Sequence, residues 1–228
     1  SSFFLFFGFD AYPSVRYIVA VAQKIPHLAH DGIGLRKWGQ QIIERLGGKR
    51  IHPTGIVPGG VAFQMTEEVR DRILAGVPEA IAATERAIAW FKQDMIRWEE
   101  EASTFGNFRT AFMGLVDRQG HVDHYGGWLR VIDADGNFLA DKIDPKEFND
   151  YIGEAVEPWS YLKTTYWKPM GYPDGIYRVG PLARLNVADR CGTPRADEEL
   201  EKFRWRVGRV AGSSFHYHYA RLIDTLHS

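Results

Sequence analysis

The chain has 228 residues, long enough to bury a sizeable core as one large domain or two small ones. With 45% apolar and 14% aromatic residues it is a globular chain, and its net charge of −1 argues against the basic excess of a nucleic-acid binder. A single cysteine, Cys191, excludes an intrachain disulfide and any thiolate cluster drawn from this chain alone.

The opening SSFFLFFGF lacks a basic leader and is too short to span a bilayer, so a buried strand or loop that needs a neighbour is expected there. That end reads as part of something larger. From Asp31, GIGLRKWGQQIIERLGG reads as a helix capped by Asp31, with Gly47 at its left-handed C-terminal position. GGKRIHPTGIVPGGV (47–61), with its two Gly-Gly pairs and its His-Pro, suits neither helix nor strand. Thr66, followed by Glu67 and Glu68, opens a helix of two or three turns. A longer helix is expected from Pro78 to about Ser103, and Gly106 ends it.

TAFMGLVD then reads as a strand, and GGWLRVIDADGNFLADKI as a hairpin turning at 133–137. A short helix from Pro145 to Glu154 leads into the aromatic stretch WSYLKTTYWKPMGYP. GIYRVGPLARLNV reads as a strand with a Gly-Pro break, and two helices, about Ala196–Val207 and Ser213–His227, follow. The order is α+β: mainly long helices flanking a small antiparallel β region. Residues 1–228 read as one continuous piece, helical over 31–105, β-rich over 108–187 and helical again over 196–228.

Candidate chemistry is sparse. HVDHY offers His121, Asp123 and His124, but on a strand His124 points away from the other two, which speaks against one shared metal. His216 and His218 in FHYHY stand two apart on a helix, where a two-histidine zinc site wants four. No G-x-S-x-G, phosphate loop or dinucleotide fingerprint occurs, and the paired carboxylates look like solvated helix positions. Arg178 and Arg184 bracket the Gly180-Pro181 turn. An arginine held by a rigid turn suits an anion or carboxylate clamp, and pairing with a neighbouring helix is an equal alternative.

Four stretches together, GQQIIERLGGKRIHPTGIVPGGV, FMGLVDRQGHVDHYGGWLRV, WSYLKTTYWKPMGYPDGIYRVGPLARLNV and SSFHYHYARL, resemble the large, catalytic subunit of [NiFe] hydrogenases. They are most similar to the cytoplasmic NAD-reducing, bidirectional type. The resemblance implies reversible oxidation of H2 at a nickel–iron centre. Electrons would leave through iron–sulfur clusters in a small subunit, and a flavin-containing diaphorase would reduce NAD+. Maturation factors are further expected partners; nucleic acid and membrane are not.

The family holds its metals with two Cys-x-x-Cys pairs, both absent here, so the resemblance makes this chain a central fragment that is inactive by itself. It carries over no catalytic residue and no metal ligand. His52 and Pro53 correspond to an interface near the proximal iron–sulfur cluster. Gly59, Gly60, Gly180, Pro181 and Arg184 correspond to loops around the active-site core. The alternatives are a metal-free relative such as the quinone-binding subunit of respiratory complex I, and a truncated subunit-docking module.

Overall fold

The structure, a computed structural model, describes residues 22–228. The expectation for SSFFLFFGF lies outside them. The fold is α+β, and the chain divides into two compact units between Phe91 and Lys92.

In the first unit, helix α1 runs Pro26–Gly47 and the hairpin strands are β1 (Ile56–Val57) and β2 (Gly60–Val61). Helix α2, Glu67–Met95, begins in this unit. α1 starts five residues before the expected cap, because Pro26 pre-sets the first turn. Asp31 therefore sits inside the helix, where it accepts from Arg86 Nε and Nη2 of α2 at 2.7 and 2.9 Å. That bond, more than the neighbouring histidine charges, holds the Asp31 carboxyl below its ordinary range. The left-handed residue is Gly48, one beyond the expected Gly47.

The two helices expected either side of Pro78 are one helix, α2. Thr66 does cap it, its Oγ1 accepting from Val69 N at 3.3 Å. Pro78 lies on an exposed position, and the carbonyl of exposed Leu74 that its missing N–H leaves free can turn to water.

In the second unit, a 3₁₀ turn (Ile96–Trp98) and α3 (Glu99–Thr104) precede a four-stranded sheet of β3 (Ala111–Val116), β4 (Trp128–Ile132), β5 (Phe138–Ile143) and β8 (Tyr177–Arg178). Its order is β5-β4-β3-β8. The sheet is mixed: β3–β4 and β4–β5 are antiparallel, whereas β8 adds to β3 in parallel. Ala111, Met113, Val131 and Ile143 from one face pack with Trp167 into a core.

The helix expected over Pro145–Glu154 stops early. A 3₁₀ turn (Pro145–Glu147) and α4 (Phe148–Tyr151) give way to β6 (Ile152–Ala155), which pairs with β7 (Thr164–Trp167). Tyr151 stacks on Trp167 at 5.2 Å between ring centroids, and a cross-strand partner outweighs a weak helical turn there. The expected Gly-Pro break opens helix α5 (Pro181–Val187), with Pro181 in its first turn. Helices α6 (Pro194–Val207) and α7 (Tyr217–His227) follow, the latter after a 3₁₀ turn at Ser214–His216.

Candidate functional site

The glycine-proline stretch closes on itself. Gly48 N donates to Glu44 O at 2.8 Å, ending α1, and Thr54 N donates back to Gly47 O at 3.0 Å. A side chain on Gly47 would run into Pro53 Cβ, so the glycine serves the loop's own closure. His52 takes a left-handed conformation (φ 52°) at the exposed tip, beside exposed Pro53. Val57 faces Gly60 across the turn at Pro58-Gly59, with Gly59 at φ 92°. The hairpin presents Ile51, Ile56, Val61 and Phe63 outward, Ile56 being 90% exposed. His52, Pro53, Gly59 and Gly60 are thus on the first unit, and Gly180, Pro181 and Arg184 on the second.

Around Gly180, the chain passes from β8 to α5 through a φ of 90°, a conformation that favours glycine. Both arginines that bracket the turn are engaged internally. Arg178 donates from Nη1 to Gly212 O at 2.5 Å and from Nη2 to Gly106 O at 2.8 Å, with its guanidinium 3.9 Å from the Phe108 ring centroid. Burial pulls its pKa down. Arg184 forks onto Asp224 of α7, Nε to Oδ1 at 2.9 Å and Nη2 to Oδ2 at 2.6 Å. Of the two alternatives for Arg184, pairing with a neighbouring helix is the one observed.

The same Asp224 Oδ1 lies 3.1 Å from His124 Nε2. The His124 ring stands edge-on to His227, centroids 5.6 Å apart, and His227 Nδ1 meets Thr193 Oγ1 at 3.1 Å. Burial, then the charge of His124, lowers the His227 pKa. A cavity of about 410 Å³ opens here, with Met113, Leu129 and Val179 on its apolar side and His124, Arg184 and Asp224 on its polar side. Arg184 and a histidine of HVDHY, 60 residues apart in the sequence, therefore meet through a carboxylate that sequence reasoning did not single out. A signal existed: Asp224 is an acid on the buried face of α7, beside Tyr219, Ala220 and Ile223.

The other histidines do not assemble a metal site. His121 Nδ1 pairs with Asp117 Oδ2 at 3.1 Å, and Asp123 Oδ1 accepts the backbone N–H groups of Tyr125 (2.6 Å) and Gly126 (2.9 Å). His216 borders a second cavity of about 400 Å³ with Phe112, Arg206 and Val210. Burial, helped by Arg206, pushes its pKa down to about 4. Among the described residues no group of three or more His, Cys, Asp or Glu is placed to hold a metal ion.

Cys191 is fully buried, its thiol pushed up to about 12 by burial first and the Asp197 charge second, so it is not a thiolate ligand at neutral pH. A nickel–iron centre or a cysteine-held iron–sulfur cluster does not fit this donor set.

No protein-family model matches the chain. It is 42% identical over 219 residues to the vhu A subunit of the F420-non-reducing hydrogenase of Methanocaldococcus jannaschii, covering 95% of this chain and 51% of that protein. To the beta subunit of the NAD-reducing hydrogenase HoxS of Cupriavidus necator it is 36% identical over 233 residues, covering 98% of this chain and 47% of the relative. It is 34% identical over 234 residues to the iron–sulfur A subunit of the F420-non-reducing hydrogenase of Archaeoglobus profundus, at 97% and 48% coverage. A chain in the crystal structure of NAD+-reducing [NiFe]-hydrogenase in the H2-reduced state superposes with a TM-score of 0.91 at 40% identity, over 100% of this chain and 51% of that one.

These relatives correct the expectation of a large, catalytic, nickel-bearing subunit. Their names specify A subunits, one of them iron–sulfur, and a beta subunit; none specifies a large or catalytic one. The large-subunit reading is dropped with its metal centre. Along its whole length the chain is similar to subunits of hydrogenases, and it spans about half the length of the relatives it matches.

Proposed function

We propose that this chain is one continuous part of a hydrogenase subunit, an oxidoreductase acting on H2 as part of a complex of the NAD-reducing type. In this reading the complex oxidises H2 reversibly and passes electrons through iron–sulfur clusters toward NAD+. The observation that carries it is the unbroken likeness, at 40% identity and a TM-score of 0.91, to a chain of an NAD+-reducing hydrogenase. The thiolates that such clusters need come from outside these 228 residues, which hold one buried cysteine.

Within that reading, His52, Pro53, Gly59 and Gly60 form a contact surface toward a cluster-bearing part of the complex. The exposed apolar rim of their hairpin supports this. Gly180, Pro181 and Arg184 form a loop toward the reaction centre, in keeping with the cavity that Gly180 and Arg184 line. The partners are the other hydrogenase subunits, a flavin-bearing NAD module among them, and maturation factors. The complex works in the cytoplasm, and among the described residues no helix is long and apolar enough to cross a membrane.

The test is genetic. Removing the segment that encodes residues 22–228 from its natural context is expected to abolish H2-dependent NAD+ reduction in cell extract, and restoring it to return the activity. Extract that reduces NAD+ with H2 as well as before would refute the proposal.

A further inference from the structure

We propose that Asp224 holds His124 in the tautomer with its hydrogen on Nε2, making Nδ1 a proton acceptor on the wall of the 410 Å³ cavity. The tautomer follows from the arginine. Arg184 has only donors, and it gives one to each oxygen of Asp224, Nε to Oδ1 and Nη2 to Oδ2. A carboxylate receiving at both oxygens is ionised and has no hydrogen to offer at Oδ1. His124 Nε2, 3.1 Å from that oxygen, is therefore the donor. The neutral ring has one hydrogen, so Nδ1 carries the lone pair.

The surroundings suit a base held by an orienting acid. Asp224 is buried, 9% of its side chain exposed, and fixed by Arg184 and by its place in α7. His124 is 38% exposed, so its ring is within reach of water in the cavity. The charged or titratable groups around it are Asp224, Arg184 beyond that carboxylate, Asp123 on the same cavity wall, and His227 edge-on. The Arg184 charge is matched by Asp224, so a proton arriving at Nδ1 gives an imidazolium whose Nε2–H stays on the carboxylate. The step is a transfer of H+ from water or hydronium in the cavity to Nδ1, reversed on release, with no bond made or broken besides those to the proton. Use of the site for protons released from H2 rests on the hydrogenase reading. The tautomer does not.

The experiment labels the histidine imidazole nitrogens with ¹⁵N in the protein purified from its natural host and follows His124, assigned by loss of its signals in His124→Gln, across pH. Above the titration, Nδ1 is expected at a lone-pair (pyridine-type) shift and Nε2 at an N–H (pyrrole-type) shift, with Nδ1 gaining the proton as pH falls. An N–H at Nδ1 in the neutral ring would overturn the proposal.

In the assembled hydrogenase, His124→Gln is expected to slow exchange between H2 and D2O roughly tenfold or more and to remove one limb of its pH profile. An unaltered rate and profile would overturn the proton-accepting role. A complex that shows no exchange even with His124 in place would count against the hydrogenase reading instead, while the tautomer would stand on the spectra.

Discussion

Asp224 joins three segments through one carboxylate: α7, which carries it, α5 through Arg184, and the 121–127 loop through His124. Truncating it leaves a half-buried guanidinium without its partner, and breaking a buried pair on one side costs more than the pair itself is worth. Asp224→Ala is expected to destabilise the chain by about 3 kcal/mol in urea denaturation, with Arg184→Ala less harmful because the carboxylate keeps His124.

His216 gives a pH dependence of known sign. Its Nδ1 is buried without a hydrogen-bond partner, and its folded pKa of about 4 lies below the ordinary histidine value. Between these values the unfolded chain binds the proton and the folded chain does not. The contribution is therefore fully present above about pH 6.5 and lost as pH falls to 4. His216→Phe is expected to flatten that part of the stability profile measured from pH 7 to 4, relative to the unmodified chain.

At the scale of elements, α5 is short and its carbonyl end is closed by an arginine from another helix. Arg204 of α6 donates to the carbonyls of Leu185 (2.9 Å), Ala188 (2.6 Å) and Asp189 (2.7 Å), a favourable place for a cation at a helix C-terminus. Burial, then the Arg209 charge, lowers its pKa to about 10, yet it stays charged at neutral pH. Arg204→Met keeps the bulk but leaves those carbonyls unpaired, and a loss of about 3 kcal/mol is expected, readable as a lower urea midpoint. At the other end of α5, Gly180→Ala puts a side chain at φ 90° and is expected to cost about 1–3 kcal/mol by the same measurement.

These elements also show what a sequence discloses. Two short apolar-rich runs on either side of the turn at Asp133–Asn137 made β4 and β5 legible, since the hairpin is a local feature. The cap at Thr66 was local too. β6 was not legible, because it depends on β7, reached through a loop, and on Trp167 stacking with Tyr151. Pro78 misled because proline ends a helix only where the lost carbonyl partner cannot be replaced, and an exposed face replaces it with water.

At the scale of the whole molecule, the candidate site was half legible. Arg184 and His124 could be named from the sequence, but the acid between them lies 40 residues beyond one and 100 beyond the other, a distance no spacing rule covers. The resemblance to hydrogenases was carried by stretches that span sheet strands and helices as well as a self-closing loop and an internally paired turn. Such stretches identify a scaffold. They do not by themselves fix which subunit or which metal, and that is where the large-subunit expectation went wrong.

The central claim is that this chain works inside a hydrogenase. Its most direct test is to tag the chain in its natural host, capture it under mild, oxygen-free conditions, and assay the captured material for H2-dependent reduction of a viologen dye and of NAD+. The account predicts that both reactions co-purify with the tag. Captured, intact complexes that reduce neither with H2 would contradict it, and the more so if they oxidise NADH with a quinone instead.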